Sequence, residues 1–164
     1  AANLAFVYEV DTKRAIVAGL LHDCAKCLSH QKRITVCKKN NITITKVEME
    51  NPVLLHAKVG AFYAKSKYGV EDEEIQSSIL YHTTGRPDMK KKKKIIYVAD
   101  YIEPGRKHSD KLPEYRELAM LNLNKVTAHI LKDNIEYLQK KHTDNITLID
   151  PMTLETYEFY KKYL

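Results

Sequence analysis

Histidine and aspartate close apolar runs at four places in this chain. His22 and Asp23 follow Gly19-Leu20-Leu21, His56 follows Val53-Leu54-Leu55, His82 follows Ile79-Leu80-Tyr81, and Asp100 follows Ile95-Ile96-Tyr97-Val98-Ala99. Taken singly, each has a plain explanation: a core histidine with one hydrogen-bond partner, or a surface acid at a helix end. The repetition argues otherwise. Buried imidazoles and carboxylates are expensive to leave unsatisfied, and a shared divalent cation satisfies all of them together. Three imidazoles and two carboxylates form a mixed nitrogen and oxygen donor set, which suits iron, manganese, zinc or cobalt better than calcium or magnesium. The remaining histidines lack this context. His30 and His142 lie in polar surroundings, His129 falls inside a long helical pattern, and His108 sits in a loop that could border a pocket.

The elements that would hold these residues read as helices. Helical periodicity dominates, and strand-like alternation is scarce. Residues 1–8 look like the end of a helix. A second helix is expected over 13–28, capped by Asp11 or Thr12. A third, basic and on the surface, covers 29–40, and the alternating stretch 40–45 is expected to be a loop. Pro52 should open a helix that runs to about Lys67 and stops at Gly69. Helices follow over 71–81 and 90–101, then one or two over 112–141, and a last one over 153–163, with 83–88 as a loop. The fold class is all-α, and the whole chain, 1–164, reads as one domain.

Composition narrows the function. The 164 residues carry 27 Lys and Arg against 21 Asp and Glu, a net charge of +6 that favours anionic partners such as nucleotides or polyphosphates. Much of the excess comes from Lys90–Lys94, which reads as a solvated helix start. No run of about 18 apolar residues is present, so nothing is expected to span a membrane. No nucleic-acid motif accompanies the basic run, and nucleic acid is not an expected partner. The three cysteines, Cys24, Cys27 and Cys37, do not suggest a disulfide framework, and the Cys24-x-x-Cys27 pair lacks the second pair a zinc site would need. A reducing cytoplasm is the expected location.

The stretches AGLLHDCAK, HAKVGA, ILYHTTGRPDM and IIYVADYIEPGR, together with the order His…His-Asp…His…His…Asp of which they supply all but the first, resemble the HD-domain metal-dependent phosphohydrolases. More narrowly, they resemble the bacterial YqeK type, the symmetrical diadenosine tetraphosphate hydrolases. The likeness runs from the first residue to about Ala119. It implies a helical bundle with a dinuclear metal site in its core. His22 and Asp100 would hold one ion, His56 and His82 the second, and Asp23 would bridge them. Iron is the metal the resemblance suggests, with Mn, Co, Zn or Mg as substitutes. The implied reaction is symmetrical cleavage of diadenosine tetraphosphate to two ADP by attack of a metal-activated water or hydroxide. The partner would be a dinucleoside polyphosphate or an ADP-like nucleotide, and a homodimer is compatible with the family. The family has a further histidine on an earlier helix. None precedes His22 here, so the chain is expected to continue upstream of Ala1.

The same resemblance makes Lys26, in the pattern HDxxK, a candidate catalytic contact to phosphate beside Asp23. Its i+4 spacing from His22 would place both on one helix face, although a surface lysine satisfies the spacing equally. Arg86 and Arg106 lie in Gly/Pro-shaped loops directly after ligand-bearing helices, where a guanidinium can be held for bidentate phosphate contact. Gly85 and Gly105 would let backbone approach a ligand closely. Thr83 and Thr84 could bond phosphate or the His82 ring, and Glu103 could orient a neighbour or bind ribose. The alternatives are another HD phosphohydrolase acting on smaller nucleotides, and a nucleotide sensor without turnover.

Overall fold

In the computed structural model, which describes residues 1–141 and 149–164, every regular element is helical. The expectation for His142 lies outside the described residues. Ten α-helices follow in order: α1 (Ala2–Val7), α2 (Thr12–Leu21), α3 (His30–Lys39), α4 (Lys46–Glu50), α5 (Leu55–Ser66), α6 (Glu73–Leu80), α7 (Lys91–Tyr101), α8 (Leu112–Leu121), α9 (Leu123–Lys141) and α10 (Pro151–Tyr160), and a short 3₁₀ turn spans Lys161–Tyr163. Local chemistry explains the boundaries. The Asp11 carboxylate accepts from the Arg14 N–H and opens α2, and Asp72 accepts from the N–H groups of Glu74 and Ile75 to open α6. Asn122 interrupts what would otherwise be one helix, so 112–141 is two.

α9 is the spine, packing against α7, α8 and α10, while α6 bridges α2, α5 and α7. The main core gathers Ile79, Ile95, Ile96, Val98, Val126, Ile130, Leu131 and Tyr160. A smaller apolar cluster of Ala25, Val36, Cys37, Leu55, Val59 and Tyr63 sits between α3 and α5.

Four expectations need correction. The helix expected over 13–28 ends at Leu21, and residues 22–27 form tight turns in which Cys24 N–H bonds the Leu21 carbonyl and Lys26 N–H bonds the Asp23 carbonyl. The cause is visible at Gly19, whose carbonyl is taken by the His22 ring. The second correction concerns α3, which is not a plain surface helix, because Arg33, Val36 and Cys37 on it are buried. Third, the loop expected over 40–45 ends in Thr45, which forms a reciprocal capping box with Glu48 and starts α4, a helix not among those expected. Finally, the lysine run is not simply solvated. Lys92 is buried and paired with Glu74, Lys94 bonds Asn124, and Lys91 reaches the Tyr8 carbonyl at 3.5 Å.

Candidate metal centre

Each of the histidines at the centre is fixed by the backbone three residues before it. Nδ1 of His22 lies 2.6 Å from the Gly19 carbonyl, that of His56 2.6 Å from the Val53 carbonyl, and that of His82 2.7 Å from the Ile79 carbonyl. A carbonyl only accepts, so the hydrogen belongs on Nδ1, and Nε2 is left to point away from the chain. His22 and His82 lie just past the ends of α2 and α6, and Asp100 in the last turn of α7. His56 differs from expectation: it sits in the first turn of α5, because Pro52–Leu54 form a preceding turn rather than the helix itself.

The Nε2 atoms converge on Asp23. Its Oδ1 lies 3.3 Å from His56 Nε2 and 3.5 Å from His82 Nε2, and its Oδ2 lies 3.5 Å from His22 Nε2. Asp100 Oδ1 is 3.4 Å from His22 Nε2. The two oxygens of Asp23 therefore divide the cluster into His56 with His82 on one side and His22 with Asp100 on the other. Ligand atoms of His22, Asp23 and His82 all lie within 4.8 Å of one another.

Two observations show that this donor set fits a cation. Asp23 Oδ1 is buried and makes no hydrogen bond. His56 Nε2 and His82 Nε2 face each other at 3.0 Å, each ring having already committed its Nδ1 hydrogen. Two lone pairs and an unpaired carboxylate oxygen enclose one spot, and only positive charge there relieves all of them. Burial opposes ionisation of Asp23, yet protons on the facing His56 and His82 rings and the Lys26 ammonium, 2.7 Å from Oδ2, would lower its carboxyl pKa; with both rings neutral and a lone pair on each Nε2, a cation between them takes the place of those protons. Burial likewise opposes the Asp100 anion, and the His22 contact and Arg106 charge prevail and lower its pKa. Burial works against charge on His22, yet the Asp100 contact, the Gly19 carbonyl and the Asp23 charge raise its pKa.

Lys26 reaches the cluster by a route the spacing did not suggest. It is not one helical turn beyond His22 on a helix face. It lies in the turn after α2, exposed, with Nζ 2.7 Å from Asp23 Oδ2. Gly60 on α5 lets the two segments approach: a Cβ there would meet the His22 carbonyl at 3.4 Å and Ile79 at 3.3 Å.

A cavity of about 640 Å³ opens beside the cluster, lined among others by His82, Thr83, Asp100, Tyr101, Arg106 and His108. The structure thus brings Thr83 and Arg106 to the centre, and Arg106 donates to Asp100. His108 packs its ring edge-on to Tyr101, with centroids 4.8 Å apart. Thr84 lies behind Thr83 with its hydroxyl 2.9 Å from the Gly85 carbonyl. Arg86 is exposed and stands over the Tyr81 ring at 5.1 Å, away from the cavity lining. Gly85 has φ +65, and the close approach there is made by Thr156, whose Cγ2 is 2.8 Å from where a Cβ would sit. Glu103 lies on the other side of Asp100 and accepts from the Gly105 N–H at 2.8 Å. The EPGR loop is pinned by Arg116, which donates to the carbonyls of Ile102, Glu103 and Arg106.

The sequence reading missed the far wall of this cavity. Tyr97 from α7, Lys111 just before α8, and Asp133, Asn134, Tyr137 and Lys140 from α9 line it. Asp133 accepts from Lys111 and from the Tyr115 hydroxyl, both at 2.7 Å, and Asn134 donates to the Tyr97 hydroxyl at 3.1 Å. Asp133, Tyr137 and Lys140 recur at helical spacing, but α9 carries polar residues at many other positions, so nothing in the sequence singles them out.

Comparison with known proteins places this geometry in context. Residues 1–105 match the HD domain family. The chain is 36% identical to the "Bis(5'-nucleosyl)-tetraphosphatase, symmetrical" of Bacillus subtilis, over 97% of this chain and 82% of that protein. It is 36% identical to the protein of the same description from Halalkalibacterium halodurans, over 96% of this chain and 81% of that one. A solved structure from Clostridium acetobutylicum, described as a predicted HD superfamily hydrolase involved in NAD metabolism, superposes with a TM-score of 0.91 at 36% identity, covering 99% of this chain and 84% of that one. The all-helical fold, the convergent His and Asp side chains and these likenesses agree, and the chain belongs to the HD-domain family, in the branch that contains the symmetrical bis(5'-nucleosyl)-tetraphosphatases.

Proposed function

We propose that this protein hydrolyses diadenosine tetraphosphate symmetrically to two ADP, using two divalent metal ions, with iron as the leading candidate and Mn, Co, Zn or Mg as substitutes. The observation that carries the reading is the convergence of three imidazole nitrogens and a second carboxylate on Asp23, whose two oxygens face different partners. In this reading His22 and Asp100 hold one ion, His56 and His82 the other, and Asp23 serves both. When bound, such ions bring the pKa of a water toward neutrality and neutralise charge on the phosphoryl group under attack.

The protein's own groups supply position. The Gly19, Val53 and Ile79 carbonyls keep the three rings turned inward. Arg106 commits one amino group to Asp100, and its other N–H donors serve a phosphate oxygen in the cavity. Thr83 donates its hydroxyl to the same chain of phosphates, and Lys26 neutralises charge beside Asp23. The loop around Thr84, Gly85 and Arg86 shapes this wall, and Glu103 and Gly105 set the Arg106 loop. Tyr97, Tyr101 and Tyr137 give one arm of the substrate aromatic walls for a base. Three free thiols suit a cytoplasmic setting.

The test is product analysis. Incubated without oxygen with Fe(II) or Mn(II), the protein should convert diadenosine tetraphosphate to ADP alone, and Asp23→Ala should abolish this. AMP plus ATP would refute symmetrical cleavage.

A further inference from the structure

Arg33 is a buried cation without an acid. It sits on α3 at 4% exposure and makes no ion pair among the described residues. Its guanidinium donates to backbone carbonyls: Nε to Ala25 at 3.3 Å, Nη2 to Lys26 at 2.5 Å and Nη1 to Pro52 at 3.4 Å. Burying a charge this way is costly unless the geometry repays it, and the planar fork of arginine is the side chain that reaches several acceptors at fixed spacing.

The acceptors belong to two segments. Ala25 and Lys26 close the turn that carries His22 and Asp23. Pro52 begins the turn whose next carbonyl, Val53, orients the His56 ring. Among the described residues, the other polar tie across this seam outside the cluster is a long one, from Cys24 Sγ to the Gly60 carbonyl at 3.7 Å. Around Arg33, α3 packs on α5 through Val36 and Cys37 in the smaller apolar cluster. One side chain therefore spans the two turns whose separation sets the distance from Asp23 Oδ1 to His56 Nε2, 3.3 Å.

We infer that Arg33 is a positioning residue of the metal centre: by clamping the Asp23 turn to the His56 turn it sets the cation affinity of that pair. This rests on the metal-hydrolase reading above. The test compares Arg33→Met, Arg33→Lys and Val36→Ala, the last loosening the same helix without touching those carbonyls. Mn(II) is titrated into the metal-free protein and the free ion is read by electron paramagnetic resonance. Melting temperature and diadenosine tetraphosphate kinetics are measured alongside. Loss of a group that orients a ligand weakens metal binding or activity by about 10–100-fold. R33M is expected to weaken Mn(II) binding by that factor and to lower kcat with KM nearly unchanged. R33K keeps the charge but not the span, and should fall between R33M and the parent. V36A should lower the melting temperature and leave Mn(II) affinity as it was. R33M with the parent's Mn(II) affinity overturns the inference, and if R33M does not fold, the parent's affinity in R33K does the same. A parent that binds no Mn(II) overturns both readings. A parent that binds Mn(II) without cleaving the dinucleotide overturns the substrate reading alone, and the titration still decides the role of Arg33.

Discussion

Gly85→Ala separates two explanations for the same glycine. If Gly85 exists so that substrate can approach the backbone, a methyl group there should raise KM and leave the fold intact. The structure puts Thr156 of α10 in that space instead. Gly85 has φ +65, and an added Cβ would lie 2.8 Å from Thr156 Cγ2 and 3.5 Å from its Oγ1. The left-handed backbone costs an alanine about 1–2 kcal/mol. The overlap adds about 1–3 kcal/mol, the usual cost of forcing extra volume into a packed site. Thr156 cannot turn aside freely, because it is fully buried and its hydroxyl donates to the Met152 carbonyl at 2.5 Å. A total of about 2–5 kcal/mol should lower the melting temperature by about 5–15 °C in a chain of this size. A double-mutant cycle isolates the overlap. Thr156→Ser keeps the hydroxyl and removes Cγ2, so G85A/T156S should recover about 1–3 kcal/mol while the backbone part persists. The assay is urea unfolding of the four proteins, with kinetics well below the melting point. G85A as stable as the parent, or a cycle with no coupling, would refute the packing argument. A large rise in KM without loss of stability would return Gly85 to the substrate.

Asp23→Asn removes the charge that three imidazoles face, and should cost more in kcat than the about 100-fold typical of losing an outer hydrogen bond; isothermal titration should show metal binding lost in parallel. Arg106→Lys keeps the charge but not the fork, so KM should rise by about tenfold or more, the worth of a charge-assisted hydrogen bond. Chelation by EDTA should abolish hydrolysis, and Mn(II) should restore it. For pH, Glu74 is the cleanest probe: its bond to Lys92 lowers its carboxyl pKa below the usual 4.5. A depressed carboxylate stabilises the fold above its unfolded pKa and loses that contribution as pH falls through the folded value. Glu74→Gln should therefore melt below the parent at neutral pH, and the gap should close as pH drops below about 4.5; a constant gap in thermal melts would sink the assignment.

The candidate ligands were legible because each announces itself locally. A histidine ring turned back to the carbonyl three residues before it, past a helix end at Gly19 and Ile79 and in the turn before α5 at Val53, is a pattern of neighbours in the chain. Helix starts at Asp11 and Asp72 were equally local, and the Thr45–Glu48 capping box was there to be read. The stop of α2 at Leu21 was not. Apolar residues continue past it with helical spacing, and the break depends on His22 turning to the Gly19 carbonyl and on Arg33 taking the carbonyls of Ala25 and Lys26. The lysine run misled for a similar reason. Composition alone does not reveal that Glu74 and Asn124 wait opposite Lys92 and Lys94.

The amino-acid sequence by itself determined the helical class, the five candidate ligands that the fold brings face to face, and the family to which they point. Tertiary structure alone decided which of the loop residues meet them. Thr83, Arg106 and His108 border the cavity, whereas Arg86 stacks on Tyr81 and Gly85 packs against α10. It also supplied the α9 wall and the Arg33 clamp. The reason is distance along the chain: a helix cap or an i−3 carbonyl bond is set by neighbours, while the Met89 N–H meets the Tyr160 hydroxyl, 71 positions away, only because elements far apart in sequence bury their apolar faces together.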